Sequence, residues 1–428
     1  MNHLIVSKRN LMQSVATFFL LFYAFTNGLT GSIYGNINLV WMSFIVSVLI
    51  MFYYYGTKLR NNLTAWLILA MLGVMYYNNQ NFSHGYYASF YFSVAVFLFY
   101  FFSWKSNIWH KAVIYLVGFA GAFYAFMTVF LMFTPNLYHN YVIPLFEAYG
   151  YGDSMWEMYQ QGYMPGFTPH YSTNGIYLAV GLAVPVAYLI SGNRKFSMKF
   201  LFAFILFALL LTGKRGHVVF GIASILICYY FMNCDKPVNR WFKIVSMVAL
   251  GALVLVIVAE FVPSVLNVVY RFIETSESGD IGLGRDVFRA LALELFAQNK
   301  MFGIGWDGFR YYYNTVFGYE INVHCVYVQL LCESGIIGSL IYYTFFVIAL
   351  YHIIYAVKYL ISKGIELTNL QRVSITFSLY VQCFFLLYCI TGNPLYDSQI
   401  LIPYIMACAI GEYYYQKVKR MKVGEKLA

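Results

Sequence analysis

Three groups of residues in this 428-residue chain have types and spacing suited to chemistry on an anionic substrate. Lys214 and Arg215 sit in a tight hairpin, Thr212-Gly213-Lys214-Arg215-Gly216-His217, between two apolar runs. Arginine's planar fork suits phosphate or pyrophosphate, and the flanking glycines let a ligand approach the backbone. Arg285 and Arg289 lie one helical turn apart in a segment, 285–297, with Val287, Phe288, Leu291, Ala292, Leu295 and Phe296 on one face. Such a helix would lie along a membrane surface with both guanidinium groups at headgroup height, where a lipid-linked phosphate could be held. His324 precedes an apolar run, and imidazole has the proton affinity best suited to general-base work near neutral pH.

Each feature has a plainer reading. Lys214 and Arg215 could anchor headgroups by snorkelling, Arg289 could pair with Asp286 or Glu294, and His324 could be a cap or interface residue. Asp280 reads as a turn or cap residue. Phe302-Gly303-Ile304-Gly305-Trp306-Asp307-Gly308-Phe309 marks a tight loop. With no strand before it, it is not a dinucleotide fingerprint but a turn that would place Trp306 near a sugar or lipid. Glu333 is nine residues past His324, so on one helix it faces nearly the opposite way; it packs with Gln329 instead. Residues 135–172 hold Met155, Trp156, Tyr159, Tyr163, Phe167, His170 and Tyr171, read either as a saccharide-binding lid or as a surface helix without ligand. Asp397, in Gly392-Asn393-Pro394-Leu395-Tyr396-Asp397, is placed at the same membrane level and would line an acceptor groove.

The elements that must position these groups are transmembrane. The chain is 61% apolar and 10% charged, outside the range of soluble domains. Apolar runs of roughly 20 residues recur throughout, the length that crosses a bilayer as a helix. The expectation is an all-α polytopic integral membrane protein, one membrane domain over 1–428, with about twelve spans: 12–31, 36–56, 63–78, 86–103, 112–134, 173–191, 199–212, 217–233, 242–262, 335–357, 373–392 and 397–415. The first run lacks a small-residue cleavage site and reads as a retained helix. Seven cysteines without a C-x-x-C pair suggest neither a disulfide framework nor a zinc site.

A net charge of +10 could suggest nucleic acid, but the basic residues cluster in short connections between apolar runs, as membrane topology requires. Placing both termini inside puts all but seven of the 27 lysines and arginines on the cytoplasmic side. The seven are Lys214, Arg215, Arg271, Arg285, Arg289, Lys300 and Arg310. Two long connections, 135–172 and 263–334, then face outward, and the larger carries surface helices. Cations in a short outer hairpin oppose insertion, so something should favour keeping them there.

Gly213-Lys214-Arg215-Gly216, Gly284-Arg285, Gly303-Ile304-Gly305-Trp306 and His324 followed by Gly335-Ile336-Ile337-Gly338 together resemble the O-antigen ligase/polymerase superfamily. The likeness covers about 165–350 by motif and the whole chain by architecture. It implies a metal-independent, GT-C-like glycosyltransferase without cofactor, in the cytoplasmic membrane of a bacterium, its active site facing outward. Its partners would be an undecaprenyl-pyrophosphate-linked oligosaccharide donor, an acceptor and the bilayer, with a chain-length regulator and a flippase as further candidates. By position, Arg215 and Arg285 would bind the donor pyrophosphate and His324 would act on the acceptor hydroxyl as base or orienting group. Arg289, Lys214, His217, Trp306, Asp397 and His170 would bind pyrophosphate or glycan around them. Lys214 stands where the superfamily has a small hydroxyl residue, and Cys325 where it has asparagine. The reading is a polymerase that joins repeat units into O-antigen, capsular or exopolysaccharide chains. The alternatives are a ligase handing finished glycan to an acceptor, and a flippase or transporter. A transporter would carry charge or broken helices at the membrane midplane, whereas here the charges gather at the outer face. On this mechanism Arg215, Arg285 and His324 must converge on one pocket.

Overall fold

In so apolar a chain each backbone amide must find its partner internally, and helix is what supplies it. The computed structural model describes residues 2–33, 46, 49, 63–77, 93–94, 96–101, 106–147, 150–193, 195–235, 237–266, 269–270, 273 and 285–427, and among them there is no strand. The expected span 36–56 falls almost entirely outside those residues and 86–103 partly outside. Arg271, Asp280, Gly282 and Gly284 fall outside altogether.

The main helices are α1 (Asn2–Ile33), α2 (Leu63–Tyr77), α3 (Trp109–Met132), α4 (Gly152–Gln160), α5 (Tyr171–Ile190), α6 (Phe196–Leu211), α7 (Arg215–Met232) and α8 (Pro237–Phe261). After them come α9 (Arg285–Gln298), α10 (Gly308–Phe317), α11 (Val326–Ser362), α12 (Asn369–Tyr388) and α13 (Ser398–Leu427). Among the described residues six stretches are long and apolar enough to cross a membrane: α3, α5, α7, Arg240–Phe261 of α8, α11 and α12. Shorter apolar stretches are Leu11–Thr26, Leu63–Tyr76 and Phe196–Leu211. The other expected spans each fall on one of these helices or on α13. The fold is thus all-helical and polytopic in character.

The layers follow burial. In their apolar windows α5 is 78% and α12 72% buried, whereas α8 is 6% buried, so α5 and α12 form the interior and α8 the rim. Lipid tails are as apolar as leucine, so close contact and hydrogen bonds hold such a bundle together. A Cβ on Gly121 of α3 would lie 2.6 Å from the Gly181 Cα of α5, so the two backbones touch. Tyr380 of α12 donates to the Ala179 carbonyl of α5 at 3.1 Å, and Ser378 to the Ala407 carbonyl of α13 at 2.6 Å. Each such bond contributes roughly 0.6 kcal/mol.

The described parts of both long connections are folded against the bundle. In 135–172, Tyr138, Val142, Ile143, Phe146 and Met155 bury against Leu131, and Tyr159 donates to the Met132 carbonyl at 2.8 Å. Tyr138, Tyr159 and Trp156 stack on one another, at 4.9 and 5.3 Å between ring centroids. The return segment is pinned where Met164 N–H donates to the Leu211 carbonyl (3.1 Å) and Asn174 donates to the Met164 carbonyl (3.1 Å).

The second connection docks on a break in α11. Gly335 has φ 61° and ψ −166°, a conformation essentially reserved for glycine. A Cβ there would lie 2.4 Å from the Met301 carbonyl carbon. The loop repairs the ladder: Ile336 N–H donates to Lys300 O (2.8 Å), while Ile304 and Gly305 N–H donate to Cys332 and Glu333 O (both 2.9 Å). α11 is thus two helices joined across a kink at Gly335, the second starting where the span at 335–357 is expected and the first reaching back to Val326.

Candidate active site

The 212–217 hairpin is held by its own backbone. Thr212 accepts the Lys214 N–H at 3.2 Å, and Gly213 turns the chain at φ 65°. Lys214 is the N-cap of α7 and Arg215 its first residue. Two cations at the positive end of a helix dipole repel it, an arrangement that an anion would offset. Lys214 stands over the Tyr171 ring at 5.6 Å, tying the hairpin to the return of the first connection.

The α9 arginines face the turn after α12. Arg285 Nη1 donates to the Thr391 carbonyl (3.2 Å) and Arg289 Nη2 to the Ile390 carbonyl (3.1 Å). Arg289 also pairs with exposed Asp286 at 3.4 Å. Guanidinium groups on carbonyls that follow a helix C-terminus are favoured by its dipole. The first turn of α7 meets the same residue, since a Cβ on Gly216 would lie 3.5 Å from Thr391 Oγ1.

His324 sits between these parts with φ 57°, a left-handed conformation uncommon for a residue other than glycine. Val323 N–H donates to Gln329 Oε1 (3.3 Å) and Val326 N–H to the Cys389 carbonyl (2.9 Å), bracketing it on both sides. Its Nδ1 lies 3.4 Å from the Asn393 amide nitrogen. Burial lowers its proton affinity first, then Arg285, Lys214 and Arg289 lower it further, to a pKa of about 4. Such a group is neutral at physiological pH. Asp397, half-buried at the start of α13, is pushed up to about 6 by burial, with Lys214 opposing.

A second constellation stands behind the first. Glu333, 0% exposed, accepts the backbone N–H of Asp307 (3.0 Å) and Phe309 (3.3 Å), Gln329 Nε2 (2.9 Å) and the Tyr396 hydroxyl. Gln329 also donates to Asn322 Oδ1 at 3.1 Å. One carboxylate thereby joins the glycine loop, the segment before His324 and the turn that carries Asn393 and Asp397. The pairing of Gln329 with Glu333 is legible from their spacing on one helix. The donors from 307, 309 and 396 are not, because they arrive from distant segments.

The structure therefore gathers Lys214, Arg285, Arg289 and His324, with Asp397 beside Lys214 and Arg215 at the head of α7. Two residues expected to touch substrate are buried instead, and a third, part-buried His170, serves as a helix cap. Trp306 is 4% exposed and stacked between Tyr396 (4.7 Å) and Tyr342 (5.9 Å), because the loop that bears it folds inward onto the α11 break. His217 is 0% exposed against Tyr388 (4.6 Å), because one turn into α7 the helix has entered the bundle. His170 Nδ1 caps α5, accepting the Ser172 N–H at 3.0 Å. Among the described residues no group of three or more His, Cys, Asp or Glu is arranged to hold a metal ion.

Residues 200–343 match the family model described as O-antigen ligase, the Wzy_C domain. That stretch holds Lys214, Arg215, Arg285, Arg289 and His324 and ends within α11, short of the turn with Asn393 and Asp397. No curated protein matches the chain.

Proposed function

We propose, from the membership of this chain in the O-antigen ligase/polymerase superfamily, that it is a polysaccharide polymerase. In this reading it joins undecaprenyl-pyrophosphate-linked repeat units on the outer face of a bacterial cytoplasmic membrane. The observation that carries the chemistry is the gathering of Arg285, Arg289 and Lys214 around a neutral His324. The pyrophosphate of the donor takes the place among the cations, with Arg215 at the head of α7 completing the cradle.

In the transfer step the bond between the anomeric carbon and the pyrophosphate oxygen breaks, and the acceptor hydroxyl oxygen bonds to that carbon. Its proton passes to His324, and the carrier leaves as its pyrophosphate. The cations stabilise the charge that grows on the leaving oxygen. Donor binding also prepares the base, because its negative charge offsets the three cations that hold the proton affinity of His324 down. Asp397 and its turn line the acceptor side.

The ligase reading stands beside it, since the matched domain is described as O-antigen ligase and fits both activities. A deletion strain separates the two. A polymerase leaves carriers bearing single repeat units, whereas accumulation of long carrier-linked polymer would make the chain a ligase.

A further inference from the structure

We propose that Asn393 is the positioning residue of this site, its amide oxygen accepting the Nδ1–H of His324 so that Nε2 presents a lone pair to the acceptor hydroxyl. The inference rests on the role assigned above to His324. Asn393 lies in the turn between α12 and α13, outside the matched domain, and is 7% exposed. Its amide is 3.4 Å from His324 Nδ1. With the nitrogen turned toward the ring, the buried Oδ1 has no hydrogen-bond partner. A half-turn of the amide exchanges the two ends without moving any other atom.

Electrostatics select the orientation. Arg285 and Arg289 from α9 and Lys214 from the hairpin before α7 all bear on His324, while Asp397 of Asn393's own turn faces Lys214. The oxygen is the negative end of the amide dipole, so a cationic surrounding favours it on the His324 side. Chemistry asks for the same tautomer. An amide N–H donated to Nδ1 leaves the ring proton on Nε2 and removes the lone pair a base needs. An oxygen at that place keeps the proton on Nδ1.

Both partners are held from behind. The turn is tied by Tyr396 N–H to the Asn393 carbonyl at 2.9 Å and by the Tyr396 hydroxyl to Glu333. Glu333 also binds Gln329, which holds the backbone just before His324. A left-handed histidine fixed on two sides beside a buried amide is a pre-set pair and not a chance contact.

The test uses the purified full chain in nanodiscs and undecaprenyl-pyrophosphate-linked oligosaccharide extracted from a strain lacking it. Turnover is followed against pH for the parent, Asn393→Leu, Asn393→Asp and His324→Ala. At donor concentrations far below half-saturation the parent should lose activity only as pH falls toward about 4, where His324 of the free enzyme gains its proton. At saturation the acid limb should lie higher. Asn393→Leu should lose much of the roughly 10²- to 10⁴-fold that a positioned base supplies, with half-saturation for the donor little changed. Asn393→Asp should keep more turnover than the leucine variant. A carboxylate facing Nδ1–H favours imidazolium, so its acid limb should rise by roughly one pH unit or more. Wild-type turnover in Asn393→Leu, or an unmoved acid limb in Asn393→Asp, overturns the proposal. If the leucine variant does not fold, the acid limb of the aspartate variant decides. Full turnover in His324→Ala would instead remove the functional reading beneath it.

Discussion

Glu333 Oε2 accepts the backbone N–H of Asp307 at 3.0 Å, so the glycine loop is fastened to α11 by a carboxylate that no solvent reaches. Gly303 makes the approach feasible, since a Cβ there would lie 2.4 Å from the Glu333 carbonyl carbon. The same side chain takes three further donors, from Phe309, Gln329 and Tyr396.

Those four donors make Glu333 hard to replace. Glutamine keeps the shape but turns one acceptor end into an N–H₂ group that faces two donors. Leaving such buried groups unmet costs about 1–3 kcal/mol each. Glu333→Gln should lower both turnover and the temperature at which the detergent-solubilised protein aggregates. Tyr396→Phe removes one donor only and should be milder on both measures. A glutamine variant with parental activity and stability would show that the clamp is not needed.

The two α9 arginines should not be equivalent. Arg289 is shared with Asp286 and the Ile390 carbonyl, whereas Arg285 bears most strongly on His324 among the three cations. Arg285→Ala and Arg215→Ala should each cut turnover by roughly 10²- to 10³-fold, the loss typical of one charge-stabilising donor. Arg289→Ala should cost less. Membrane levels by immunoblot must stay normal for the comparison to count, and equal losses at Arg285 and Arg289 would contradict the ranking.

Gly335→Ala should destabilise the chain more than Gly364→Ala, although both positions have positive φ (61° and 60°). A Cβ at Gly364 meets nothing within 4 Å, whereas at Gly335 it strikes Met301 backbone. The conformational strain alone is about 1–3 kcal/mol, and the steric overlap adds to it at Gly335. Thermal aggregation of the two solubilised variants measures the difference, and equal shifts would mean the loop does not depend on the break.

Much of the fold is legible in the sequence because a bilayer demands long apolar runs, and long runs are local. The helix at 285–298 is equally local, since one apolar face over a few turns states it. Arg285, Arg289, Lys214 and His324 can be picked out by type, because cations and imidazole in the connections of so apolar a chain need a reason. Trp306 misleads because an aromatic side chain looks like a ligand contact until packing assigns it to a buried stack.

The sequence by itself determined which segments are helical and which residues are candidates for chemistry, since both depend on side-chain type and near-neighbour spacing. Tertiary structure alone decided that α11 breaks at Gly335, that Glu333 gathers donors from three segments, and that Asn393 stands beside His324 across 69 residues of chain. Those relationships join positions whose separation in sequence has no period to read. They exist only once backbone touches backbone, and the choice of partner is made by shape and by the need to satisfy buried polar groups.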